Sequence, residues 1–127
     1  MNLNENQLKV VRGYLDLLET IDEAFGYVKS RPLINQVDAA ERMYPDILRG
    51  WTKLSETHGL IGSYFSEQPD VNKSIETFNQ LIEAWELEMP ASYQREKLTY
   101  KMIKTLGPSY QKWKQGMAQE LQKVAVH

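Results

Sequence analysis

The sequence predicts an all-α protein, an antiparallel up-and-down four-helix bundle with kinks in the second and fourth helices. Three observations carry that expectation. Apolar residues recur at three- and four-residue steps along most of the chain, the pattern of helices that each bury one face. No segment alternates polar and apolar residues over a useful length, so nothing reads as a half-buried strand. Prolines at Arg31-Pro32, Gln68-Pro69 and Met89-Pro90 divide the pattern, and short turns between amphipathic helices favour antiparallel neighbours.

Leu8, Val11, Leu15, Leu18, Phe25 and Val28 form the first stripe and place helix one from about Asn4 to about Ser30. Arg31-Pro32 closes it, because a proline ring disfavours α geometry at the residue before it. Leu33, Val37, Ala40, Tyr44, Ile47, Trp51, Leu54, Ile61 and Phe65 keep one face through Pro45, which predicts a long, kinked helix two. His58-Gly59 is an alternative end for it, with Leu60 following a glycine cap. Continuation is expected instead, since stopping there leaves an eleven-residue loop, 59 to 69, in a compact domain. Gln68-Pro69-Asp70 reads as a turn with Asp70 as N-cap, opening helix three with the face Val71, Ile75, Phe78, Ile82, Trp85 and Met89. Helix four carries Met102, Ile103, Leu106, Tyr110, Trp113, Met117, Leu121 and Val124. Gly107-Pro108 predicts a kink or short break in it, with Pro108 in a first turn, where its missing N–H matters least.

The 127 residues, 42% hydrophobic and 25% charged, are expected to form one globular domain, residues 1–127. A chain of this size buries roughly two-thirds of its unfolded surface, enough for a core without staples. With no cysteine, disulfides and thiolate metal sites are excluded. The start is polar and no apolar run approaches a signal sequence or a membrane span, so a cytoplasmic location without membrane contact is expected. Fifteen basic against 17 acidic residues, a net charge of -2, argue against a dedicated nucleic-acid or membrane-surface binder.

Two polar residues stand on apolar faces. Asp22 lies between Leu18 and Phe25, where an unpaired carboxylate is costly. It is a candidate ligand or base, but an edge position, or a hydrogen bond to Tyr44 across the helix one–helix two hairpin, explains it more simply. His58 shares a face with Trp51, Ser55 and Gly62, and imidazole suits proton transfer near neutral pH. Its companions do not make a catalytic set. The other histidine is His127, and there is no Glu-x-x-His pair, phosphate loop or serine elbow. A structural histidine is expected, with no catalytic residue, no metal and no cofactor.

Charge separation is the strongest non-random feature. Residues 64 to 90 hold one base, Lys73, against six acids, whereas residues 91 to 127 hold seven bases against Glu96 and Glu120. Attraction between consecutive helices of opposite sign accounts for part of this. At about 100° per residue, however, Lys97, Lys101, Lys104 and Lys112 fall nearly opposite the apolar face and point to solvent. Lys97, Tyr100, Lys101 and Lys104 are therefore the candidate partner-binding residues, for an acidic protein surface. Tyr93, Tyr100, Tyr110 and Trp113 interleave with the lysines in a way that suits single-stranded nucleic acid, but Tyr110 and Trp113 sit on the core face and the net charge is acidic.

Leu17-Leu-Glu-Thr-Ile-Asp-Glu-Ala-Phe-Gly-Tyr-Val28 and Tyr110-Gln-Lys-Trp-Lys-Gln-Gly-Met117 resemble segments of small, uncharacterised helical proteins of Bacillus-type bacteria. The resemblance covers about a sixth of the chain. It implies a Gram-positive cytoplasmic protein of unknown function and transfers no site residues.

The expected function is a non-enzymatic protein–protein interaction module: an adaptor, a chaperone-like protein or an inhibitor. Apolar residues off the main stripes, Tyr14, Ile21, Tyr64, Leu87, Leu98 and Tyr100, supply a patch for a partner or for a second copy in a homodimer, unless they simply widen the core. The alternative is a small-ligand-binding protein or enzyme with a pocket near Asp22 and His58, beside Gly59 and Gly62.

Overall fold

The computed structural model describes residues 3–89 and 94–125. Among them the chain is an antiparallel four-helix bundle without strands. Helix α1 (Glu5–Ser30) begins at Asn4, whose side chain accepts from the Gln7 amide at 2.9 Å while the Gln7 side chain accepts from the Asn4 amide at 3.0 Å. This reciprocal cap satisfies two amides that have no partner within the helix. Helix α2 (Leu33–Tyr64) runs through Gly59, as its spacing predicts, and contains Pro45 on its exposed side.

Phe65 lies just past the end of α2 with only 1% of its surface exposed, so the stripe continues into the turn. That turn closes through the Gln68 amide donating to the Phe65 carbonyl at 2.8 Å and the Asn72 side chain donating to the same carbonyl at 3.0 Å. Helix α3 (Pro69–Glu88) has Gln68, not Asp70, at its N-cap. Pro69 has a φ already suited to a helix and no N–H to lose, so the helix starts two residues earlier than expected. Asp70 falls instead in the first turn, where its charge faces the positive end of the helix dipole.

The fourth helix is continuous through Gly107-Pro108, where a kink or short break is expected: no break occurs, and a π turn precedes the pair. It comprises α4 (Arg95–Lys101), a π turn (Met102–Leu106) and α5 (Gly107–Ala125), with Pro108 in the first turn of α5. The reason lies in the spacing. Leu98, Met102, Leu106 and Tyr110 are all buried and four residues apart. Four α-helical residues turn about 400°, so each step overshoots the face by about 40°. A wider i→i+5 turn holds the series toward the core. Its closing bond is donated by the Gly107 amide to the Met102 carbonyl. A Cβ on residue 107 would stand 2.7 Å from that carbonyl oxygen and 3.3 Å from the Phe25 ring, so only glycine fits. Ile103, expected on the core face, is turned out to a half-buried position by the same widening.

Around the bundle, α1 packs on α2 and α5, α3 packs on α5 and α2, and α4 packs on α2. The α1–α2 approach is close at Gly50, where a Cβ would meet Ile21 at 2.8 Å. Tyr14, Ile21 and Leu98, set aside by single-stripe reasoning, are buried. A helix touching two neighbours buries a wider face than one row of residues. Tyr64 is half-buried, whereas Leu87 and Tyr100 are exposed.

Trp51, Trp85 and Trp113 belong to one core cluster, yet their N–H groups have different fates. Trp113 donates to the Ser74 carbonyl at 2.7 Å and Trp85 to the Tyr44 hydroxyl at 2.8 Å, whereas Trp51 Nε1 is buried without a partner among the described residues. Trp51 and Phe78 meet edge-on with centroids 6.4 Å apart, and Phe78 lies 4.7 Å from Trp113. Such pairs add about 0.5–1.5 kcal/mol beyond the burial of their area.

Replacing any of the three tryptophans by alanine is expected to cost roughly 3 to 5 kcal/mol in urea unfolding; a loss under about 1 kcal/mol would contradict the packing. Gly107→Ala and Gly50→Ala should each cost roughly 1 to 3 kcal/mol through overpacking. Gly26→Ala, where nothing lies within 4 Å of the added atom, should instead stabilise by up to about 1 kcal/mol.

Candidate functional site

The antiparallel order brings the α1–α2 turn, the end of α3 and the start of α4 to one end of the bundle. Leu33, Ile34, Leu87 and Tyr100 lie there, exposed by 85%, 87%, 88% and 65%. Two further exposed large apolar residues, Leu48 and Leu60, lie away from this end. Scattered exposed leucines are ordinary, but four large apolar residues gathered at one end are not.

Between the start of α2 and α4 runs a groove of about 330 Å³, bordered by Leu33, Val37, Tyr100, Ile103 and Lys104. Arg95 fixes its geometry: its guanidinium donates to Asp38 at 2.7 Å and to Glu41, tying the first turn of α4 to α2. Lys97, Tyr100 and Lys104 follow three- and four-residue steps, and all three are exposed. Neither lysine has an ion pair among the described residues. Lys101 departs from the expected stripe. It is half-buried, with its Nζ 3.5 Å from a Glu88 carboxylate oxygen, because antiparallel packing sets the last turn of α3 beside the first turns of the fourth helix. Attraction between the two oppositely charged helices thus accounts for Lys101 but not for Lys97 or Lys104. Tyr110 and Trp113 are buried as expected, and Tyr93 lies outside the described residues.

Asp22 and His58 do not share a site. His58 is 5% exposed, with Nε2 2.7 Å from the Tyr14 hydroxyl and its ring 5.0 Å from Phe78 and 6.1 Å from Trp113. Burial pushes its pKa down to about 4, so the ring is neutral near pH 7. Burial also raises the Tyr14 hydroxyl far above its ordinary range, so it keeps its proton. With that hydroxyl donating to Nε2, the ring proton sits on Nδ1, which has no partner among the described residues. Among the described residues no carboxylate is hydrogen-bonded to the ring to orient it as a base. Beside Gly59 and Gly62, where the alternative reading places a pocket, a Cβ on Gly59 would meet open space and one on Gly62 would stand 3.2 Å from Asn72.

Asp22 faces Lys114 rather than Tyr44. Lys114 is 8% exposed, and its Nζ lies 2.8 Å from a Glu19 oxygen and 3.0 Å from an Asp22 oxygen. Burial works against the ammonium charge, but the hydrogen bonds and charges of Glu19 and Asp22 outweigh it and hold the pKa above its ordinary value. Sequence reasoning missed Lys114. The signal was its place between Trp113 and Met117, on the edge of a wide buried face, opposite acids three residues apart on α1. Among the described residues no three His, Asp or Glu side chains gather as metal ligands, and no helix is long and apolar enough to cross a membrane.

The His58 pKa, lowered in the folded state, means that the unfolded chain takes up the proton first. Stability tied to neutral His58 is therefore complete above about pH 6.5 and is lost as pH falls toward 4. At about 1.36 kcal/mol per unit, wild type should lose about 3 kcal/mol more over that interval than His58→Phe does. Parallel urea-stability profiles for the two proteins would contradict this.

Residues 9–116 match the family model described as a domain of unknown function, DUF8042. No curated protein matches the chain, and no solved structure does. The matched span runs from the first turns of α1 into the middle of α5, taking in the groove, the π turn, His58 and the Lys114 ion pairs. The chain belongs to the DUF8042 family of domains of unknown function.

Proposed function

We propose that the protein is a non-enzymatic interaction module that docks an acidic amphipathic helix of another protein in the groove between the start of α2 and α4. One observation carries this reading: the exposed groove residues Leu33 and Tyr100 stand beside Lys104, with Lys97 one turn from Tyr100, and neither lysine has an ion pair among the described residues, so the two outnumber the groove's one acid, Glu96. An apolar groove beside unpaired cations fits a helix with one apolar and one acidic face. Tyr100 brings a large ring with little conformational entropy to lose, and the lysines attract the partner before contact. A cytoplasmic adaptor, chaperone-like protein or inhibitor would each use such a surface, and so would a homodimer.

The test uses Lys97→Glu/Lys104→Glu and Tyr100→Ala, with a helical peptide carrying one leucine face and one glutamate face as the probe. The peptide should shift amide signals of α4 and the first turns of α2. Either variant should weaken it about tenfold or more, and salt should slow its association. Both variants should keep their urea stability within about 1 kcal/mol, because the changed groups are exposed. Equal binding of a lysine-faced peptide would contradict the reading. So would a salt-sensitive stability loss above about 2 kcal/mol in the double reversal, which would make these lysines intramolecular.

A further inference from the structure

A second cleft, of about 180 Å³, lies between α1 and the π turn and shares Ile103 with the docking groove. It has the volume of about six waters, room for one small metabolite but not for a helix. Its floor and wall are apolar, formed by Phe25, Met102 and Pro108.

Its polar groups are of two kinds. At one end Asp22 offers an acceptor. One of its carboxylate oxygens is held by Lys114 at 3.0 Å, and the other has no hydrogen bond among the described residues. Glu19 and Asp22 share the single Lys114 ammonium, which leaves surplus negative charge at this end. The π turn adds a second acceptor. Two amides stand in position to reach the Ile103 carbonyl, but that of Gly107 donates to Met102 instead and Pro108 has no N–H. The Ile103 carbonyl thus receives no helical hydrogen bond, and a buried or half-buried carbonyl without a donor is costly. The other polar side chains of the lining can donate, Lys29 as a cation and Gln111 through an amide that also carries an acceptor. Lys29 stands two turns along α1 from Asp22, and the Gln111 side-chain amide stands on α5.

We infer that this cleft binds a small zwitterion, an α-amino acid with an aliphatic side chain. Its ammonium group meets Asp22 and the Ile103 carbonyl, its carboxylate meets Lys29 and Gln111, and its side chain lies on Phe25 and Met102. An ammonium carries three donors and no acceptor, which suits the two unspent acceptors and the surplus negative charge. A simple amine leaves Lys29 facing another cation. A simple carboxylate meets Asp22 with like charge.

The experiment is an amide-resolved NMR titration of the intact protein with L-leucine, L-methionine and L-valine, with 3-methylbutylamine and 4-methylpentanoate as the half-ligands. At least one amino acid should give saturable shifts centred on Gly26, Ile103, Gly107 and Gln111, and should bind about tenfold more tightly than either half-ligand. Gly26→Leu places a side chain in the cleft, since nothing lies within 4 Å of an added Cβ, and should abolish these shifts without lowering the urea midpoint. Asp22→Asn, in which Glu19 still holds Lys114, should weaken binding about tenfold or more. The inference is overturned if no amino acid saturates these signals below about 50 mM, well beyond a millimolar dissociation constant. It is equally overturned if 4-methylpentanoate binds as tightly as leucine, or if both variants bind as wild type does.

Discussion

The hydrogen bond from the Gly107 amide to the Met102 carbonyl, closed against the Phe25 ring, sets the phase of the whole fourth helix. Leu98 and Met102 precede or open the π turn, and Tyr110, Trp113 and Met117 follow it. In an unbroken α-helix these two groups would drift off a common face. The wider turn holds both toward the core, at the cost of one carbonyl without a helical donor and one apolar residue, Ile103, turned partly outward. Both consequences fall at clefts. The same turn places Tyr100 and Lys104 outward while Arg95 anchors α4 on α2. Core packing and the shape of the surface thus follow from a single extra residue in one helical turn.

The interior is unusually polar for an aromatic core. Tyr14, His58 and Trp51 bring a hydroxyl, an imidazole and an indole N–H among Phe78, Tyr110 and Trp113, and only part of their hydrogen-bonding capacity is used. Each unmet group costs on the order of 1 to 3 kcal/mol. Edge-to-face ring packing and the burial of large areas offset that cost. Of the ionic ties, that of Arg95 is exposed, that of Lys101 half-buried and that of Lys114 buried. Arg95 joins α4 to α2, Lys101 joins α4 to α3, and Lys114 joins α5 to α1, so each selects which helices are neighbours more than it adds stability.

Much of this was legible in the sequence because helical spacing persisted where local signals suggested a stop. The run from Ala40 to Ile61 kept its face through both Pro45 and Gly59, and α2 is one helix, although Leu33, counted on the same stripe, is exposed. The stripe from Leu8 to Val28 placed the start of α1 near Asn4, which is its N-cap. The π turn was also written there, as Leu98, Met102, Leu106 and Tyr110 at strict four-residue intervals, but the Gly-Pro pair reads locally as a break and masked it. Tyr14, Ile21 and Leu98 escaped because one stripe underestimates a helix with two neighbours. Lys101 and Lys114 are harder. Which acid each lysine meets depends on how the helices are arranged around the bundle, and spacing along one helix does not carry that information.

If the π turn sets the phase of the fourth helix by absorbing one extra residue, deleting Thr105, exposed within it, should leave an ordinary α-helical turn with α4 and α5 still facing the core together. The measurement is native-state hydrogen exchange on the Thr105-deleted chain. Amides of α4 and α5 should both stay protected as in the intact chain, because Leu98 and Met102 keep their place on the core face. Exchange of the α4 amides almost as free as at a frayed terminus, with α5 still protected, would show that the turn does not absorb the extra residue and does not set the phase.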